Sequence, residues 1–145
     1  HEDWITPLAE VFEGLSVEGA LFRLSPGTKC IWEIVLHLSA WNLDIVERIR
    51  TGRKCRPPEG PWPALPQRSH EAEWKAAQAR LLAAISDLIA FVRTCTLADV
   101  NRGPYGLADL LCRLTHNGYH IGQMTKLKEA WERSRNVDSV PPSGP

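Results

Sequence analysis

The chain has 145 residues, and its 17 basic side chains balance 17 acidic ones. No basic field therefore invites nucleic acid, and the length suits one domain. The longest apolar runs are too short to cross a bilayer and no secretory leader opens the chain, so no membrane association is expected.

Four cysteines, Cys30, Cys55, Cys95 and Cys112, stand far apart without a CxxC pair. They read as free thiols of a cytoplasmic protein. The chain opens on His1 instead of Met, which suggests missing native residues or an extraneous first residue; His1 is given no role.

Helical periodicity recurs four times and strand alternation does not. The first pattern spans Trp4–Leu15, with Ile5, Leu8, Val11, Phe12 and Leu15 at helical spacing. A shorter helical piece lies between Gly14 and Gly27. The second long pattern runs from Lys29 to Arg50 with Thr28 as its N-cap and Gly52 as its stop. Its apolar positions include Ile31, Ile34, Val35, Leu38, Trp41, Ile45 and Ile49.

Residues 51–69 hold five of the eleven prolines and read as a long crossover loop. Ser69 then caps a third helix over 70–94, with Trp74, Ala77, Leu81, Ile85, Leu88, Ile89 and Val92 on one face. Arg102–Gly106, RGPYG, separates it from a fourth helix over Leu107–Arg133. Residues 134–145 are polar and Pro-rich and read as a disordered tail. The expectation is an all-α four-helix bundle over residues 1–133, a single domain with a crossover long enough to let helices two and three run parallel.

His116 and His120, in LTHNGYHIGQM, are separated by one helical turn. Such a pair lies on one face with Cβ atoms about 5–6 Å apart, and two imidazoles so placed can converge on one ion. The spacing alone suits a pair of core histidines somewhat better than a metal site. His37, in WEIVLHLSAW, adds a third imidazole at a core-edge position of the second helix. Facing helices of a bundle can project ligands into one internal site, and three histidines with an open fourth position are the ligand count of a catalytic metal.

Other candidates surround these three. Glu33 and Asp44 stand four residues before and seven after His37, in reach to orient an imidazole or move a proton, although solvated helix charges are the plainer reading. Trp41, Tyr119 and Gln123 read as pocket or supporting residues. Cys112 lies one turn before His116 and reads as a small buried thiol. His70 reads as solvent-facing. Gly122, inside a helix, suggests close approach of a neighbouring helix.

With SPGTKCIWEIVLHLSAWN, PWPALP, EAEW, PYG and HNGYHIGQM in hand, the chain resembles the DinB/YfiT-like superfamily of metal-dependent enzymes from Trp4 to Trp131. That resemblance implies an up-down-down-up bundle with a divalent metal, zinc or nickel, on three histidines. Carried onto this sequence they are His37, His116 and His120. It also implies a bacterial, cytoplasmic homodimer acting on a small-molecule substrate. Characterised relatives use low-molecular-weight thiols such as bacillithiol or mycothiol, so a thiol S-transferase is the leading expectation. A metal hydrolase with Glu33 as proton acceptor, and a non-enzymatic metal-stabilised binding protein, are the alternatives.

Overall fold

The helical periodicities become six helices in the computed structural model, which describes residues 7–53, 56–101 and 106–138. They are α1 (Leu8–Phe12), α2 (Val17–Leu21), α3 (Ile31–Thr51), α4 (Glu71–Thr94), α5 (Leu97–Val100) and α6 (Leu107–Asp138). No strand occurs among the described residues. None of the described helices is long and apolar enough to cross a membrane. Trp4 and Ile5, Cys55, most of RGPYG and residues 139–145 lie outside the described residues.

Several expected boundaries move, each for a local reason. The first helix stops at Phe12, because Gly14 adopts a left-handed φ of 67° and Ser16 Oγ then accepts the Gly19 N–H to cap α2. Cys30, not Thr28, is the N-cap of α3; Thr28 Oγ1 instead donates to the Ser25 carbonyl and closes a turn. His70, not Ser69, is the N-cap of α4. At the other end, α6 continues through Ser134 to Asp138, since no proline or glycine interrupts it there. Gly52 closes α3 in the left-handed conformation, as its position suggests.

The buried face of α4 consists of Trp74, Ala77, Leu81, Ala84, Leu88 and Phe91. These positions alternate three- and four-residue steps, the spacing of a narrow coiled-coil-like seam. Ile89 and Val92, placed on this face from the sequence, lie on the neighbouring stripe and are 45% and 38% exposed. α3 packs against both α4 and α6, which makes it the central element.

Two apolar clusters result. One joins Val11, Leu15 and Ala20 to Ile31, Trp32, Ile34 and Leu38 of α3, Trp74 and Leu81 of α4, and Met124 and Leu127 of α6. The other joins Ile45, Val46 and Ile49 to Leu88, Phe91, Val100 and Leu110. Gly19 lets α2 approach α6 closely, since a Cβ there would lie 2.6 Å from Trp131 Nε1. The inward stripe of α6 is apolar at both ends, Leu110 and then Met124 and Leu127, but polar in its middle, where Asn117 and His120 are buried. Opposite them α3 buries His37 and Asn42. A polar layer thus separates the two apolar clusters, and the candidate site lies in it.

Candidate metal centre

Asn42 and Asn117 fasten α3 to α6 within this layer. Asn117 Nδ2 donates to Asn42 Oδ1 at 2.8 Å, and Asn42 Nδ2 donates to Asn117 Oδ1 at 3.2 Å. The pair satisfies buried amides on both helices and holds the neighbouring turns in register. On those turns stand His37 of α3 and His116 and His120 of α6.

The three imidazoles meet. Nε2 of His116 lies 3.0 Å from Nε2 of His37 and 3.1 Å from Nε2 of His120. One ring nitrogen from each of the three lies within 4.8 Å of the others. Three nitrogens at the usual zinc distance of about 2.0–2.1 Å from one ion would be separated by roughly 2.9–3.4 Å, depending on the angle between bonds. The cluster therefore fits a divalent transition metal. No fourth His, Cys, Asp or Glu joins the group among the described residues.

The outer nitrogens differ in what they face. His37 Nδ1 donates to the Pro61 carbonyl at 2.5 Å, and His120 Nδ1 donates to Gln123 Oε1 at 2.7 Å. Each of these rings then presents an Nε2 lone pair inward. His116 Nδ1 faces Arg113 Nη1 at 3.0 Å, a group with hydrogens to give and nothing to accept. The Trp62 indole stacks on the His37 ring, with centroids 3.9 Å apart and planes at 15°.

Burial disfavours the charged form of all three histidines. His116 is pushed down to about 4 by burial, with the Arg113 charge and the two other rings acting in the same direction. Burial lowers His37 against the opposing Pro61 carbonyl, with His120 and Arg113 adding to the decrease. Burial also lowers His120, against Gln123, with Arg113 assisting. At neutral pH all three are uncharged, the state in which imidazole ligates metal.

Two cavities reach the triad from different sides. A cavity of about 820 Å³ touches His120 and is walled by Leu24, Ile34, Trp62 and Leu127, with Tyr119 and Gln123 at its polar edge. A smaller one of about 310 Å³ touches His37 and His116 and is bounded by Trp41, Pro61, Cys112 and Arg113. Two guanidiniums lie over the Trp41 ring, Arg113 at 4.9 Å and Arg48 at 5.4 Å from its centroid.

Of the residues marked from the sequence, His37, His116, His120, Trp41, Tyr119 and Gln123 come together here. Gln123 Nε2 also donates to the Tyr119 hydroxyl at 2.7 Å, so His120, Gln123 and Tyr119 form one chain of hydrogen bonds.

Glu33 is placed differently. Its carboxylate accepts the Cys30 N–H at 3.0 Å and pairs with Arg23 at 2.5 Å and Lys29 at 2.9 Å. Burial acts to raise its pKa, but these hydrogen bonds outweigh it and hold it at about 2. Glu33 is a helix cap. Asp44, expected to be solvated, is buried and paired with Arg48 at 2.6 Å. Cys112 is exposed, not buried, because it lies off the inward stripe of α6. Gly122 meets no neighbouring helix; a Cβ there would face open space, at the wall of the larger cavity. His70 is exposed, as expected.

Pattern reading missed Trp62, the Pro61 carbonyl and Arg113. The signals were faint: a tryptophan between two prolines, and a cation three residues before His116 on a helix whose neighbours in sequence are apolar.

The family description that matches this chain is the DinB superfamily, over residues 5–124. No curated protein matches the chain, and no solved structure does.

Proposed function

The chain belongs to the DinB superfamily, and from that premise and the meeting of His37, His116 and His120 we propose a metal-dependent thiol S-transferase acting on small electrophiles. The observation that supports it most is the set of three uncharged imidazoles between two cavities, with no fourth protein ligand among the described residues. On this reading the three histidines hold one divalent transition metal, zinc or nickel, and a low-molecular-weight thiol is the cosubstrate. The ion, when bound, supplies a charge that favours the thiolate form of that thiol, which is the nucleophile.

The protein's own groups do the rest. The Pro61 carbonyl and Gln123 orient His37 and His120 and fix their tautomers. Trp62 covers one face of His37 and keeps water from it. The Tyr119 hydroxyl accepts from Gln123 and so retains its own hydrogen for a substrate oxygen in the larger cavity. Two cavities suit a reaction with two substrates, one on each side of the triad.

A thiol is acidic enough, ionising at about pH 8.5 unaided, to release its proton to solvent without a protein base. Its thiolate would form the new bond to sulfur as the electrophile's leaving group departs with its electron pair. A hydrolase would have to take its proton from water, a far weaker acid than a thiol, and Glu33, held at about 2 in the capping box of α3, is too weakly basic to help remove it. This difference favours the transferase over the hydrolase. The same reading includes an up-down-down-up bundle with residues 52–70 as its crossover, and a cytoplasmic homodimer, both on the family resemblance.

The test is elemental analysis of tag-free protein beside His37→Ala and His120→Ala variants, followed by a thiol-consumption assay with small electrophiles. One equivalent of transition metal, lost in both variants with helicity retained, is expected, together with thiol consumption by the wild type alone. Metal without consumption would assign the chain to a metal-stabilised binding bundle. No metal after reconstitution with zinc or nickel would overturn the metal centre.

A further inference from the structure

The larger cavity carries a charge pattern that the metal reading leaves unused. Lys29, at the start of α3, and Lys126, on α6, both line it, and no carboxylate does. Lys29 Nζ also lies 5.0 Å above the Trp62 ring. The two lysines are not fully neutralised by their neighbours. Glu33 is shared between Lys29 and Arg23, and Glu129 between Lys126 and Arg133. Two carboxylates thus serve four cations, and of these six groups only the two lysines line the cavity.

Beneath that rim the walls are Leu24, Ile34 and Leu127, with the Tyr119 phenol beside them. Apolar walls under a cationic rim complement a molecule with an apolar body and a negative end, because the body leaves water while the anion keeps charged partners. We propose that this cavity binds a small organic acid, its apolar part against Leu24, Ile34 and Leu127 and its carboxylate between Lys29 and Lys126. The assignment names the class of one substrate and rests on the transferase reading only for what happens to that substrate afterwards.

The experiment is titration calorimetry with 4-phenylbutyrate and its neutral amide, 4-phenylbutyramide. It is run on the protein as purified and again after dialysis against a chelator, with circular dichroism confirming helix, so that carboxylate binding to a metal cannot produce the preference. The acid is expected to bind roughly three- to tenfold tighter than the amide in both preparations, as two partly exposed ion pairs would give. The Lys29→Gln/Lys126→Gln variant should bind the amide as the wild type does and lose the preference for the acid. Equal affinities in the wild type, a preference that survives the double variant, a preference seen only before chelation, or no binding of either compound would each overturn the assignment. The preference is expected with and without metal, so the acid preference and the metal centre stand or fall separately.

Discussion

Arg113 Nη1 lies 3.0 Å from His116 Nδ1, and a guanidinium can only donate. His116 therefore offers a lone pair at Nδ1 and carries its proton on Nε2. There the proton is shared with the Nε2 lone pairs of His37 and His120, 3.0 and 3.1 Å away. It stands where the three imidazoles would converge on an ion. Metal-ligating histidines ordinarily donate their outer N–H to an acceptor, so Arg113 opposes loading through both its charge and its hydrogen bond. Arg113→Met, which keeps apolar contact with Trp41 and removes the guanidinium, should raise metal affinity by about tenfold, within the range that outer partners command. Competition with a chelating dye measures this; an unchanged or weakened affinity would contradict the account.

Gln123 has the opposite effect. Its Oε1 accepts the His120 Nδ1–H at 2.7 Å, which directs the Nε2 lone pair inward and makes the ring a better ligand. Gln123→Leu should weaken metal binding by roughly 10–100-fold with little change in helicity. Gln123→Glu, which keeps an acceptor, should restore most of it. Dye competition on the two variants decides the point, and equal affinities for Leu and Glu would remove Gln123 from the site.

The depressed histidines also set a pH dependence. In the unfolded chain histidine takes up its proton near pH 6.5, whereas in the folded protein burial pushes all three down, His116 to about 4. Through that window the unfolded state binds more protons, so folding loses free energy as pH falls. Metal-free protein should hold its full stability from these groups above about pH 6.5 and lose it progressively toward about pH 4. Urea midpoints across this range should decrease, and His116→Asn should flatten the decrease; a level wild-type profile would be inconsistent with three buried neutral rings.

The Asn42–Asn117 pair predicts a stability cost independent of metal. Asn42 is completely buried and Asn117 nearly so. Asn117→Ala would leave the buried Asn42 Oδ1 without its donor, while Asn42 Nδ2 keeps the Leu38 carbonyl, at a cost of about 1–3 kcal/mol. Asn42→Leu/Asn117→Leu, which removes both polar groups, should recover part of that loss. Chemical denaturation of the two variants gives the comparison, and a double variant no more stable than the single would show that the layer needs polar groups for another reason.

The long helices were legible because helical periodicity is a local property: a residue's place on a 3.6-residue turn follows from its number alone. The same rule put His116 and His120 on one face, and it put His37 beside the apolar seam of α3. These three residues are the ones that meet. It was less able to choose between adjacent stripes of α4, where Ile89 and Val92 carry as much hydrophobicity as the Ala84 and Phe91 that are buried. Which stripe turns inward depends on the rotation of one helix against another, and that is a packing outcome.

The helical class, the long helices and the three imidazoles each follow from residue type and spacing within a single segment. Their surroundings come from packing between segments distant in the chain. Pro61 is 24 residues from His37 in the chain, and Asn42 is 75 from Asn117; such contacts arise from the path of a proline-rich segment and the mutual register of two helices, which no local periodicity encodes. Glu33 illustrates the same limit from the other side. Its position one turn before His37 allowed a role in the site, but the N-terminal N–H of α3 and the cations Arg23 and Lys29 claim its carboxylate first, because a helix end must satisfy its free donors wherever a suitable acceptor is within reach.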